Sequence, residues 1–166
     1  MIDVLLATCR PDPAALRAQL DSIRAQRGVE VNLLRREDPG GEGPRGNFAA
    51  LLEMSTAGYA AFADQDDVWM DDKLARAMAE MRKLEARWGR DVPLLVYTDA
   101  TVVDAELRPL DASLFHREKK PPGGGKIGLF RSSYVRSSSS VISLWPFLIR
   151  WNCMTTTRMF SVTVNI

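Results

Sequence analysis

Short apolar runs alternate with helix-like segments along the first hundred residues, and this alternation constrains the fold more than any other feature. The apolar runs have the length and composition of buried strands, and they cover residues 2–7, 29–34, 59–63 and 92–97. Apolar residues at helical spacing lie between them, at 13–26, in a short segment from Phe48, and at 71–88. Strands that alternate with helices over short loops favour a parallel sheet built from βαβ units. The sequence therefore predicts an α/β fold with a mostly parallel sheet flanked by helices.

Polar residues follow three of the four predicted strands where each strand ends. They are Thr8 after the first strand, Asp38 after the second and Asp64 after the third. The carboxyl ends of parallel strands meet at one edge of the sheet, which is where ligands bind in open α/β sheets. We therefore expect these side chains to converge on one site.

Three carboxylates lie within four residues in the segment Asp64-Gln65-Asp66-Asp67. Carboxylates this close repel one another, and a cation relieves the repulsion. Mg²⁺ usually takes one or two carboxylates and leaves positions for water and phosphate. The alternative is a solvated acidic turn before the next helix, with Asp71 or Asp72 as an N-terminal charge. The convergence of polar strand ends favours the ligand site.

Charge is distributed unevenly along the 166 residues, although the net charge is only +1. All 21 acidic residues lie at or before Glu118, and seven of the 22 Lys and Arg residues lie after it. We predict a domain at 1–118 and a divergent basic tail at 119–166 that is disordered. A shifted reading frame after about residue 118 is the favoured explanation of the tail. A tail that binds an anionic membrane face through its basic and aromatic residues is the alternative.

The remaining composition predicts an intracellular setting. The two cysteines, Cys9 and Cys153, are not spaced as metal ligands and suit a reducing compartment. The start of the chain lacks the basic region of a signal peptide, and no stretch approaches the ~20 apolar residues of a membrane span. We expect a cytoplasmic protein, with peripheral contact at the inner face of the membrane as an option, and no nucleic-acid partner.

Four blocks of sequence occur in an order typical of a known enzyme family. They are residues 5–8 (LLAT), 20–26 (LDSIRAQ), 63–74 (ADQDDVWMDDKL) and 95–104 (LVYTDATVVD). Together they resemble family 2 glycosyltransferases, especially the rhamnosyltransferase-like branch, over residues 2–117. The resemblance implies a GT-A fold. It also implies that a sugar, with rhamnose as a candidate, is transferred with inversion from a nucleotide diphosphate donor to a glycan or lipid-linked acceptor.

The resemblance also implies roles for the residues on the donor side. Asp66, with Asp64 beside it, would hold Mg²⁺ or Mn²⁺ against the diphosphate. Thr8 would lie beside the nucleotide, although it can also be explained as a turn residue. Asp38 matches the acidic position that hydrogen-bonds the base, but the surrounding residues 36–40 replace the usual Asp-Asp-Gly-Ser.

On the sugar and acceptor side the resemblance implies a second group of residues. Asp67 and Trp69 would line this side, where an aromatic face suits a pyranose ring. Asp99 is assigned to the same side. For Trp69 the alternative is core packing against the helix that follows.

Two departures from the family affect the expected activity. The family has a further helix and strand between the second strand and Asn47, where this chain has a Gly- and Pro-rich loop at 39–46. The inverting reaction needs a general base, which the family supplies from an acidic residue further along, and no carboxylate follows Glu118. The catalytic base is therefore unassigned, and His116 is expected to be an exposed loop residue.

Two other functions are compatible with these residues. One is an inactive remnant that folds and at most binds a nucleotide-sugar. The other is a haloacid-dehalogenase-type phosphatase, because Asp64-x-Asp66-x-Val68 fits its nucleophile motif. That motif normally follows the first strand of the domain, however, and here it follows the third.

Overall fold

The computed structural model describes residues 1–117, 131–136 and 147–150. The elements run in the order β1 (Ile2–Thr8), α1 (Pro13–Arg24), β2 (Val31–Glu37), α2 (Gly43–Met54), β3 (Ala60–Ala63), β4 (Val68–Trp69), α3 (Lys73–Trp88), β5 (Leu94–Tyr97), β6 (Asp99–Val103), β7 (Pro109–Asp111), α4 (Leu114–Arg117), β8 (Arg131–Arg136) and β9 (Phe147–Arg150). The alternation of strands and helices predicted for the first hundred residues is thus confirmed. No helix among the described residues is long and apolar enough to cross a bilayer.

The main sheet has the strand order β2-β1-β3-β9-β5. Strand β1 pairs in parallel with β2 and with β3. Strand β9 is antiparallel to both of its neighbours, so β5 points in the same direction as β1. A smaller sheet has the order β4-β8-β6-β7. The predicted α/β fold with a mostly parallel sheet flanked by helices is confirmed.

Helices cover both faces of the main sheet, because β1 is apolar on both of its faces. Val4 and Leu6 belong to a buried cluster that includes residues of α1 and α3, whereas Leu5 packs with Phe48 and Leu51 of α2. The connection through α1 takes the chain to β2 on one side of β1, and α2 returns it to β3 on the other side. The direction of strand addition therefore reverses between β1 and β3, and ligands bind at such reversals in open α/β sheets.

Two boundaries differ from the sequence prediction. Strand β2 was predicted at 29–34 but extends to Glu37. The predicted loop at 39–46 ends early, because α2 already begins at Gly43. Pro44 suits the first turn of a helix, and the Asp38 carboxylate accepts a hydrogen bond from the Gly43 N–H. That bond satisfies one of the amide groups left open at the start of α2.

Two segments of the predicted basic tail form strands of these sheets. Strand β8 lies between β4 and β6, and β9 lies between β3 and β5. These two segments, 131–136 and 147–150, are thus paired strands in the structure, whereas the sequence predicts a disordered tail. The apolar run at 147–149 suits a strand whose two edges are both paired. The rest of the tail lies outside the described residues, and the domain boundary near residue 118 stays a prediction.

Asp3 is a buried carboxylate at the amino end of β1, away from the strand ends that carry the predicted site. Its Oδ2 accepts hydrogen bonds from Ser55 Oγ at 2.7 Å and from the Thr56 and Ala57 N–H groups at 2.9 Å. Its Oδ1 accepts one from Asn32 Nδ2 at 2.8 Å. Burial alone would raise the pKa of Asp3, but these hydrogen bonds outweigh it and hold the pKa below 3.8. Asp3 thereby ties the turn after α2 to the sheet.

We expect Asp3→Ala to lower the free energy of unfolding by about 2–3 kcal/mol, because it leaves several buried donors without an acceptor. Asp3→Asn keeps one acceptor oxygen and should cost about 1 kcal/mol. Urea denaturation monitored by circular dichroism measures both values. Equal stability of Asp3→Ala and the wild type would contradict this role.

The same carboxylate predicts a pH dependence. The pKa of Asp3 in the folded protein lies below the ordinary value of 3.8 that applies to the unfolded chain. Its stabilising contribution is therefore fully present above the unfolded pKa and is lost as the pH falls through the folded pKa. Wild type should lose stability below about pH 4 more steeply than Asp3→Asn. Parallel denaturation curves for the two proteins between about pH 5 and pH 2 test this.

Candidate functional site

The end of β1 is held between the ends of its two neighbouring strands. On the β2 side, the Asp38 N–H donates to the Thr8 carbonyl at 2.8 Å. On the β3 side, the Gln65 side chain accepts from the Cys9 N–H at 2.7 Å and donates to the Cys9 carbonyl at 3.2 Å. The Gln65 amide therefore acts like a strand peptide and extends the β1–β3 pairing beyond the last paired residues. The three predicted strand ends do meet at one edge.

The acidic loop, residues 64–67, begins directly after β3. Asp64 and Asp66 are half-buried, and Asp67 is buried. Burial, together with repulsion from the Asp67 and Asp66 carboxylates, raises the pKa of Asp64 to about 8, and the Lys73 ammonium opposes this rise. The crowding of negative charge expected from the sequence is thus present.

Lys73 is a buried cation beside this loop, and the sequence analysis gave it no role. It is the first residue of α3, and its side chain is only 3% exposed. Its Nζ lies 4.6 Å from the centroid of the Trp69 ring. Burial lowers the pKa of Lys73 to about 7, opposed by the carboxylates of Asp67 and Asp64. Lys73 is therefore a buried counter-charge next to the acidic loop.

A sequence signal for Lys73 did exist. The N-terminus of a helix carries positive partial charge, so a lysine at its first position is unfavourable. A buried lysine there needs acidic partners. The acidic loop ends six residues earlier in the chain and supplies them.

Trp69 lies in the core rather than at an open edge. Its side chain is 3% exposed and belongs to the cluster between the sheet and the helices α1 and α3. The backbone N–H of Trp69 donates to Ser22 Oγ of α1 at 3.0 Å. Among the described residues, the buried donors without a hydrogen-bond partner are Gln19 Nε2, Trp69 Nε1 and Lys73 Nζ. The burial of Trp69 favours the core-packing alternative, and its role in sugar binding stays a prediction.

Asn47 organises the β2 side of the edge, and sequence reasoning did not identify it. This buried residue donates to the carbonyls of Thr8 and Arg36, both at 3.2 Å, and accepts from Arg36 Nη1 at 3.0 Å. The guanidinium of Arg36 also pairs with both oxygens of Glu42. The Thr8 hydroxyl donates to the Arg36 carbonyl at 3.3 Å. Thr8 is thus buried at the strand end, with its hydroxyl turned to β2.

Asp38 stabilises the glycine-rich turn that leads into α2. Its Oδ1 accepts from the Gly40 N–H at 2.9 Å and its Oδ2 from the Gly43 N–H at 3.0 Å. The hydrogen bond from Gly40 has the largest effect on the pKa of Asp38 and lowers it. The hydrogen bond from Gly43 lowers the pKa as well, so the carboxylate stays ionised. The predicted contact of Asp38 with a base stays a prediction.

Asp99 follows the carboxyl end of β5, which points in the same direction as β1. It begins β6 in the smaller sheet, where β8 separates β6 from β4. The residue is buried, and its carboxylate accepts from the Ala100 N–H at 2.8 Å. His116, by contrast, is exposed on α4, with its Nδ1 3.6 Å from Asp111 Oδ2. His116 is therefore exposed as expected, on a short helix rather than in a loop.

The residues present fit a divalent cation bound together with phosphate. Asp64 and Asp66 are two carboxylates in one turn, and Mg²⁺ commonly takes one or two carboxylates with water and phosphate in its other positions. The raised pKa of Asp64 shows that added positive charge would stabilise the ionised loop. In the described part of the chain, no group of three or more His, Cys, Asp or Glu side chains is arranged to hold a metal by itself.

Comparison with known proteins gives one curated relative. The chain is similar to the amylovoran biosynthesis glycosyltransferase AmsB of Erwinia amylovora, with 26% identity over 102 residues. The match covers 61% of this chain and 32% of AmsB, so the chain spans about a third of that relative's length. No protein-family model matches the chain.

The chain is also similar in fold to solved structures of S. aureus TarS, at low sequence identity. TarS 1–349 in complex with UDP-GlcNAc has a TM-score of 0.47 and 15% identity, covering 69% of this chain and 38% of TarS. The complex with UDP has a TM-score of 0.45 and 12% identity, covering 69% and 39%.

Proposed function

We propose that this chain is the donor-binding part of a GT-A-type glycosyltransferase that uses a nucleotide diphosphate sugar. One observation carries the proposal: Gln65 fastens an acidic loop to the end of β1, where the order of strand addition reverses. A loop with paired carboxylates at that position suits a cation-bound diphosphate. The similarity to AmsB, an amylovoran biosynthesis glycosyltransferase, supports the same class.

In this proposal the residues at the strand ends contact different parts of the donor. Asp64 and Asp66 hold Mg²⁺ or Mn²⁺, which when bound would neutralise charge developing on the diphosphate leaving group. Thr8 and Asp38 lie on the nucleotide side of that position. Gln65 holds the acidic loop against the end of β1. The distance between the metal-binding residues and the nucleotide-binding residues therefore stays constant.

The finer parts of the proposal concern the transferred sugar and its acceptor. Inversion at the sugar, rhamnose as the sugar, and a glycan or lipid-linked acceptor follow from the sequence resemblance and await direct tests. Asp67 and Asp99 remain candidates for the sugar and acceptor side. The general base is unassigned among the described residues.

We expect the 166-residue protein to bind at least one of UDP, GDP and dTDP, and to need Mn²⁺ or Mg²⁺ for this. The corresponding monophosphates should bind at least about tenfold more weakly, because charge-assisted contacts to a second phosphate are lost. Titration calorimetry with each nucleotide, with and without metal, makes the measurement. The proposal would be refuted if no nucleotide bound, or if the nucleotide affinity were the same with and without metal.

Binding and turnover are tested separately. Release of free sugar from UDP-, GDP- and dTDP-sugars reports on chemistry, whereas calorimetry reports on binding alone. Binding without sugar release or transfer would identify the chain as a nucleotide-sugar-binding remnant. Transfer to an acceptor would establish the complete reaction.

A further inference from the structure

Arg10 has an unusual backbone conformation two residues beyond the end of β1. Its φ is +44°, in the left-handed region that residues other than glycine rarely adopt. Such conformations persist where the surrounding structure holds them, and they concentrate at functional sites. The Arg10 side chain is exposed.

The backbone that leads into Arg10 is constrained by hydrogen bonds to the acidic loop. Before Arg10, both backbone polar groups of Cys9 are bound by the Gln65 amide, at 2.7 and 3.2 Å. After it, Pro11 favours extended backbone for the preceding residue, so the positive φ of Arg10 is not a local preference of this sequence. The Cys9 backbone immediately before Arg10 is therefore held against the acidic loop.

Arg10 is the single cation in the two segments that meet at the strand-order reversal, residues 8–12 and the acidic loop at 64–67. The other nearby cations are engaged elsewhere. Lys73 is buried over the Trp69 ring, and Arg36 is paired with Glu42. Within the described part of the chain, the Arg10 guanidinium makes no hydrogen bond or ion pair.

We propose that Arg10 binds the diphosphate of the nucleotide donor, opposite the acidic loop; this inference rests on the proposed function. One divalent cation shared with two carboxylates leaves the diphosphate with uncompensated negative charge. A guanidinium matches phosphate oxygens with two parallel hydrogen bonds. The constrained backbone before Arg10 reduces the conformational freedom that is lost when the ligand binds.

The test compares substitutions that remove the charge but tolerate a positive φ. Arg10→Gly and Arg10→Asn satisfy this condition, since glycine and asparagine adopt left-handed conformations at low cost. Both variants should bind the preferred nucleoside diphosphate of the wild type about tenfold more weakly, which is about 1.4 kcal/mol. Their thermal midpoints should be unchanged or higher. Arg17→Gln, on the exposed face of α1, is the matched control and should bind like the wild type.

Two further measurements identify the diphosphate as the contacted group. Inorganic pyrophosphate with Mn²⁺ should show the same loss in both Arg10 variants, whereas the corresponding nucleoside should show none. The affinity of the wild type should also fall more steeply with added NaCl than that of the variants.

The outcomes separate this inference from the proposed function. If the wild type binds a nucleoside diphosphate and both Arg10 variants bind it equally well, the inference is wrong and the function stands. If the wild type binds none of UDP, GDP and dTDP, both are wrong. A loss of affinity shared by Arg17→Gln would also overturn the inference, because it would reflect overall charge.

Discussion

Replacement of Asp66 by alanine is expected to abolish Mn²⁺-dependent binding of nucleoside diphosphates. Asp66 lies in the turn that follows β3, beside Asp64, so its loss removes one of two proposed carboxylate ligands. Substitutions in the outer shell of a metal site alone typically cost roughly 10–100-fold in affinity, so loss of a direct ligand should cost at least about 100-fold. Titration calorimetry with UDP, GDP and dTDP in the presence of Mn²⁺ measures the change.

Asp71→Ala is the matched control for this experiment. Asp71 is an aspartate five residues further along, and its carboxylate pairs with Arg27 at 2.8 Å instead of facing the loop. This variant should retain nucleotide binding. Asp66→Ala should also keep its fold, because it relieves repulsion on Asp64. Equal nucleotide affinities for Asp66→Ala and the wild type would show that Asp66 is not a ligand.

Replacement of Lys73 by methionine is expected to lower the free energy of unfolding by about 3 kcal/mol or more. Methionine has a similar length, so the change removes the buried charge and leaves most of the packing. Removing one partner of a buried charged group typically costs about 3–5 kcal/mol, because the other charge stays buried and unpaired. In this protein the remaining buried charge is that of Asp67. Urea denaturation at neutral pH gives the value.

A second substitution identifies the cause of that loss. If Lys73 acts as counter-charge to the acidic loop, Lys73→Met combined with Asp67→Asn should be more stable than Lys73→Met alone. A double-mutant cycle isolates this coupling. Lys83→Met is the control, because the Lys83 side chain is 70% exposed and pairs with Glu80 of its own helix. Additive effects of Lys73→Met and Asp67→Asn would show that the two residues are not coupled.

Much of the fold could be predicted because it is encoded by local periodicity. The Leu16, Leu20 and Ile23 spacing predicts an amphipathic α1, and Asp12 followed by Pro13 marks its start. The structure confirms both, since the Asp12 carboxylate accepts from the Ala15 N–H at 2.8 Å. The position of the acidic loop after a buried strand was predictable for the same reason.

Properties that depend on distant residues were not predictable in this way. The start of α2 at Gly43 depends on the Asp38 carboxylate, and the short strand β4 depends on pairing with β8. The strands β8 and β9 fall in a segment whose composition suggested disorder. An unpaired strand gains little from its own sequence, and its stability comes from the neighbours it pairs with.

The sequence by itself determined the α/β class, the order of the elements in the body of the chain, and the edge of the sheet where the acidic residues lie. Strand and helix periods are short-range, so a stretch of roughly ten to fifteen residues carries that information. Only the tertiary structure decided that Trp69 is buried, that Lys73 neutralises the loop, and that Gln65 fastens it to Cys9. These properties depend on burial and on contacts between distant residues, and electrostatic interactions strengthen where folding removes water.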